Sequence, residues 1–110
     1  MKYNIIILEN FKKEFKPLAK KYPSLKNDFK LILDDLEKKL ELATDLGDGF
    51  KKIRISIKSK SKGSSGGARI ITQETLVNIN NKTIFFASIY NKGKFKNIDI
   101  SLLKKILNFK

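Results

Sequence analysis

Seven cationic side chains and no carboxylate fall within residues 50–69, FKKIRISIKSKSKGSSGGAR: Lys51, Lys52, Arg54, Lys58, Lys60, Lys62 and Arg69. A guanidinium presents parallel N–H donors that match the oxygens of a phosphate, and a lysine crowded by other cations gives up its proton more easily than an isolated one. Such a set could bind a polyanion, steady charge that grows on a phosphoryl group, and move a proton. The chain contains no His and no Cys. That removes the imidazole base, the thiolate nucleophile, the disulfide framework and the usual tetrahedral zinc site. The acids Asp34, Asp35, Glu37 and Glu41 lie mostly off an apolar helical stripe and read as a solvated face rather than a metal site.

The positive charge is concentrated. Residues 1–48 carry ten Lys against nine acids, net +1, whereas residues 49–110 carry fourteen Lys or Arg against Glu74 and Asp99, net +12, which together give the overall +13. Charge kept only for solubility would be mixed in sign along the chain, so this bias points to a phosphate-bearing partner, the alternative being a solvated basic surface with no ligand. With 110 residues the chain is one domain, 1–110, large enough for a single core. The apolar run Ile5–Leu8 is far too short to span a membrane, and no signal-peptide pattern accompanies it, so a soluble cytoplasmic protein is expected.

The elements that would position these residues follow from periodicity. Tyr3–Leu8 is β-branched and apolar and reads as a strand inside a sheet. Asn10 could cap a helix carrying Phe11, Phe15, Leu18, Ala19 and Tyr22 on one face; Pro17 either kinks that helix or marks its true first turn. Ser24 caps a second helix, with Leu25, Phe29, Ile32, Leu33, Leu36 and Leu40 at the 3.6-residue period, completing a helical hairpin. Leu46-Gly47-Asp48-Gly49 is a turn into the basic strand, where Ile53, Ile55 and Ile57 alternate with Arg54, Ser56 and Lys58. Ser59–Gly67 reads as a mobile, substrate-facing loop, in which Gly66 and Gly67 would permit a close backbone approach or a positive φ before Arg69, or serve as plain turn residues. Ala68–Ile79 and Thr83–Tyr90 form a hairpin about Asn80, Asn81 and Lys82; the second strand looks buried on both faces and therefore central. Asp99 or Ser101 caps a terminal helix with Leu103, Ile106 and Leu107 inward. The class is α+β, a small antiparallel sheet in the order β-α-α-β-β-β-α packed against the N-terminal hairpin.

The segment LGDGFKKIRISIKSKSKGSSGGARII, with the hairpin into SIYNK and the short final helix, resembles the RelE/ParE superfamily of toxins from bacterial type II toxin-antitoxin modules, especially its RelE and HigB-like branch. The resemblance covers nearly the whole chain in element order, with specific motifs confined to residues 46–92. It implies a RelE-like microbial RNase fold that enters the ribosomal A site and cuts messenger RNA, without a cofactor or metal, and that is held in check by a cognate antitoxin protein. By position it implies a catalytic set of Lys52, Arg54 and Lys58, Arg69 after the glycines, and Tyr90, with Lys51, Lys60, Lys62, Lys92 and Lys94 as RNA contacts. For Tyr90 an aromatic closing the core edge is an equal reading.

RNA supplies its own nucleophile, the 2′-hydroxyl. An enzyme need only align it with the phosphorus, take its proton, stabilise the phosphorane and protonate the departing 5′-oxygen. On this reading Arg69 is the phosphate stabiliser, Lys52 or Lys58 the base or acid, and Tyr90 a stacking platform or proton donor. Two other classes remain open: a ParE-type toxin that poisons gyrase by binding it, and a non-catalytic RNA-binding module.

Overall fold

The predicted alternation in the basic strand is met: Ile53, Ile55 and Ile57 are buried, whereas Arg54, Ser56 and Lys58 are exposed. The computed structural model describes residues 2–60 and 67–92, with Ser101 and Lys105. In chain order the described elements are β1 (Lys2–Ile7), α1 (Glu9–Lys21), α2 (Leu25–Asp34), α3 (Leu36–Leu42), β2 (Thr44–Gly47), β3 (Phe50–Ile55), β4 (Ala68–Asn78) and β5 (Asn81–Asn91). They form an α+β domain with one five-stranded sheet in the order β1-β5-β4-β3-β2. Of the expected terminal helix, Ser101 and Lys105 have helical backbone. Asp99, Leu103, Ile106 and Leu107 lie outside the described residues.

This differs from the expected order and from an all-antiparallel sheet. β1 runs parallel to β5, and the three other pairings are antiparallel, so the sheet is mixed. β1 is also an edge strand, not an interior one. Tyr3 and Ile7 pack against the core, but Ile5 and Ile6 are 42% and 43% exposed. A β-branched run says that a strand forms, not what lies beside it, which is why its composition was misleading. The interior expectation does hold for β5, which lies between β1 and β4 and is buried over Phe86–Tyr90.

The helical half departs in detail. Pro17 sits well inside α1, so it does not mark the first turn. Asn10 is not the cap; Leu8 holds that position, and the Asn10 amide donates to the Ala87 carbonyl at 2.9 Å and to Glu14 Oε1 at 2.7 Å. The predicted second helix is interrupted at Asp35, whose φ of −128° and ψ of 39° are not helical, yet Leu25, Ile32, Leu36 and Leu40 on either side are all buried. Ser24 stands at the N-cap of α2 without a capping hydrogen bond from its side chain to the backbone. The helices cover one sheet face, where Phe86 meets Phe11 and Phe29 edge-on at 5.7 and 5.4 Å.

Two turns are tighter than expected. Gly47, Asp48 and Gly49 have φ of +87°, +54° and +82°, a left-handed run that closes a β2–β3 hairpin; Thr44–Gly47 has too little β-branched character to be read as a strand. The β4–β5 hairpin turns at Ile79-Asn80, with Asn78 Oδ1 accepting from the Asn80 N–H and the Asn81 amide, each at 3.0 Å. Gly67 earns its place through packing: a Cβ there would collide with the Ile55 carbonyl oxygen, while its own carbonyl accepts from the Lys92 N–H at 3.0 Å. Among the described residues no helix is long and apolar enough to cross a membrane.

Candidate functional site

Strand register brings three of the sequence candidates into one row. Arg54 on β3 is directly opposite Arg69 on β4, and Arg69 is directly opposite Tyr90 on β5. Residues opposite one another share a face and stand roughly 5 Å apart at Cβ. The helix-facing side is taken by the neighbouring row Ile53, Ile70 and Ile89, so the Arg54–Arg69–Tyr90 row lies on the other side. Lys52 shares that face two residues back along β3 and is half-buried.

The row runs from solvent to interior. Arg54 is exposed, but Arg69 and Tyr90 retain only 7% and 5% of their accessible surface. Arg69, the cation that follows the glycines, is therefore buried in the sheet. Its Nη1 donates to the Ala68 carbonyl at 3.1 Å, and among the described residues no carboxylate forms an ion pair with it. Burial, and then the charge of Arg54, lower the Arg69 pKa, with Tyr90 opposing. Burial raises the Tyr90 phenol above its ordinary value, with Arg69 opposing. A cation held from water beside a second cation favours an anionic visitor, and a phenol that keeps its proton suits a donor to a leaving oxygen.

The other candidates go elsewhere. Lys58 lies past the end of β3, with its N–H donated to Asp28 Oδ2 at 3.1 Å and its side chain in solvent. Lys51 points to the helix side and reaches the Leu40 carbonyl at 3.5 Å near the end of α3. Lys60 donates to Asn91 Oδ1 at 2.7 Å and lies 5.1 Å from the centre of the Tyr22 ring. Lys92 is exposed beyond β5. Lys62 and Lys94 lie outside the described residues, as does Gly66.

Two groups that sequence reasoning missed organise this second region. Asp28 falls on the inner side of α2 and is 4% exposed; its Oδ2 accepts from Ser24 Oγ at 2.7 Å as well as from Lys58. Ser24 Oγ in turn accepts from the Ser59 N–H at 2.8 Å, so the hairpin corner fixes the start of the basic loop. Asp28→Ala takes the acceptor from the part-buried Lys58 N–H and from the Ser24 hydroxyl, and unfolding in urea should show a loss of about 1–3 kcal/mol. Asp28→Asn, which keeps an oxygen there, should lose less.

Tyr22, read as one more apolar residue of α1, accepts from the Asn91 amide at 3.3 Å. That bond lowers its phenol pKa, partial burial opposes, and Lys60 and Lys21 lower it further. The two tyrosines should separate in an alkaline absorbance titration: Tyr22→Phe removes an early phenolate step and Tyr90→Phe a late one. Their linkage to stability has opposite signs. Tyr22, with a depressed folded pKa, adds stability as pH rises toward the unfolded value of about 10, and Tyr90, with a raised one, loses it above about 10. A single superimposed titration would contradict both placements.

Among the described residues no three acids cluster closely enough to hold a metal ion. No protein-family model matches the chain, and no curated protein matches it.

Proposed function

We propose that this chain is a toxin of the RelE kind, a cytoplasmic ribosome-dependent mRNA endoribonuclease whose domain is a variant of the RelE-like microbial RNase fold. The observation that carries the reading is Arg69, a nearly buried guanidinium beside Arg54 and Tyr90 with no ion-paired carboxylate among the described residues. The net +12 of residues 49–110 supports a polyanionic substrate.

In the proposed reaction the 2′-oxygen bonds to the adjacent phosphorus and the bond from phosphorus to the 5′-oxygen breaks, leaving a 2′,3′-cyclic phosphate and a 5′-hydroxyl. Arg69 and Arg54 hold the non-bridging oxygens as their charge grows, and Tyr90 donates its proton to the 5′-oxygen. Of the two lysines, Lys52 lies within β3 on the face of the row, whereas Lys58 lies past the end of the strand, so Lys52 takes the 2′-hydroxyl proton. A ribosome aligns the message, which a small basic domain with few base-reading aromatics does poorly alone. An acidic antitoxin with apolar anchors neutralises the basic face.

Adding purified protein to a cell-free translation reaction and mapping RNA ends tests this. Cuts within ribosome-covered message, with naked RNA largely intact, are expected. Inhibition of gyrase supercoiling with intact message would favour the ParE-type reading, and RNA binding without cuts would leave a non-catalytic module.

A further inference from the structure

Beside the row, between α1 and the end of β5, lies an open cleft of about 480 Å³. Pro17, Leu18 and Ile89 give it apolar walls, Lys13 and Lys21 stand on α1 at its rim, and Tyr90 belongs both to it and to the arginine row. This size and mixture suit a small planar ligand with an anionic tail. Tyr90 is thus the residue that the cleft and the proposed phosphate site have in common.

Glu14 gives the cleft a preference. Its Oε1 accepts from the Asn10 amide and from Ser88 Oγ, each at 2.7 Å, so two donors on either side fix the carboxylate. Among the described residues Oε2 has no hydrogen-bond partner, and Glu14 is a lining residue. An ionised carboxylate only accepts. It therefore favours a base edge carrying an exocyclic amino group, as cytosine does at N4, and disfavours uracil, whose single ring N–H is flanked by two carbonyl oxygens.

We propose that the α1–β5 cleft is a nucleotide subsite next to the scissile phosphate, in which Glu14 selects an amino-bearing base over uracil while Lys13 and Lys21 hold the flanking phosphate. The subsite rests on the reading of the chain as an RNA-binding protein, but not on its cleaving RNA.

The test is equilibrium binding of the full chain to short single-stranded oligonucleotides, 2′-O-methylated throughout to prevent cleavage, with cytosine or uracil at one central position. About tenfold tighter binding of the cytosine oligonucleotide is expected, the discrimination of one good base-edge contact. In Glu14→Gln the side-chain oxygen can keep Asn10 and Ser88 while the amide turns a donor to the cleft, so the preference should vanish or reverse toward uracil. Lys21→Gln, on an exposed position, should weaken both oligonucleotides about equally, several-fold, and leave their ratio unchanged. Equal affinity of the parental chain for both, or a ratio untouched in folded Glu14→Gln, would overturn the subsite. A cytosine preference in a protein that never cuts ribosomal message would refute the nuclease and keep the subsite; cutting with no base preference would do the reverse.

Discussion

Arg69→Met will lower RNA cleavage by about 100-fold or more while leaving the domain at least as stable as the parent. Losing one preorganised donor to a charge that develops in the transition state costs roughly 3–4 kcal/mol, which sets the size of the kinetic loss. The stability half follows from burial. Arg69 is 7% exposed, faces Arg54 across the strands, and has no ion-paired carboxylate among the described residues. Holding a charge in that setting is unfavourable, and replacing a buried ionic group by an apolar side chain of similar length is often neutral or stabilising. Met is the informative replacement because Ala would leave a cavity in β4 and blur the comparison. Thermal unfolding should therefore show an unchanged or raised midpoint, and single-turnover assays a large loss. A marked fall in midpoint together with parental cleavage would assign Arg69 a structural role instead.

The second large effect belongs to Phe86, whose ring closes the cluster with Phe11 of α1 and Phe29 of α2 while its strand pairs with β1 on one side and β4 on the other. Phe86→Ala empties a fully buried site and should cost about 3–5 kcal/mol, a large part of the stability of a domain this size. Urea unfolding should show most of that loss as a lower midpoint with little change in slope. Phe86→Leu should lose much less, because only part of the volume goes. A loss under about 1 kcal/mol for the alanine variant would mean that the helices are not seated on the sheet through this cluster.

Much of this was legible in the sequence because it depends on local alternation. Ile53, Ile55 and Ile57 reveal the buried face of β3, and the same period of two puts Arg54 on the opposite face. The aromatic and leucine stripes of the helices were equally plain, and their residues are the ones that reach the core. What was not legible depends on partners far away in the chain. Parallel pairing of β1 with β5 joins residues about eighty positions apart, and nothing in KYNIII specifies direction or edge position. β2 was missed because its strand character comes from pairing with β3 rather than from its own residues. At the site, Arg54, Arg69 and Tyr90 meet only once the registers of two strand pairs are fixed, whereas Lys58, also cationic and only four residues from Arg54, lies beyond the end of β3 with its backbone N–H on Asp28. Charge density located the region; register chose among its members. Asp28 and Glu14 escaped notice, and Tyr22 was read only as apolar, because helical and cap residues reveal their polar partners only through what packs against them.

The measurement closest to the central claim is single-turnover cleavage on ribosomes programmed with a defined message, in chelator, with the parental protein, with Arg69→Met, and with a message bearing a 2′-deoxy nucleotide at the cut position. The parental protein should cut within the A-site codon and leave a 2′,3′-cyclic phosphate and a 5′-hydroxyl, Arg69→Met should be slower by about 100-fold or more, and the 2′-deoxy message should stay intact. An uncut message with the parental protein, or a folded Arg69→Met variant that cuts at the parental rate, would contradict it.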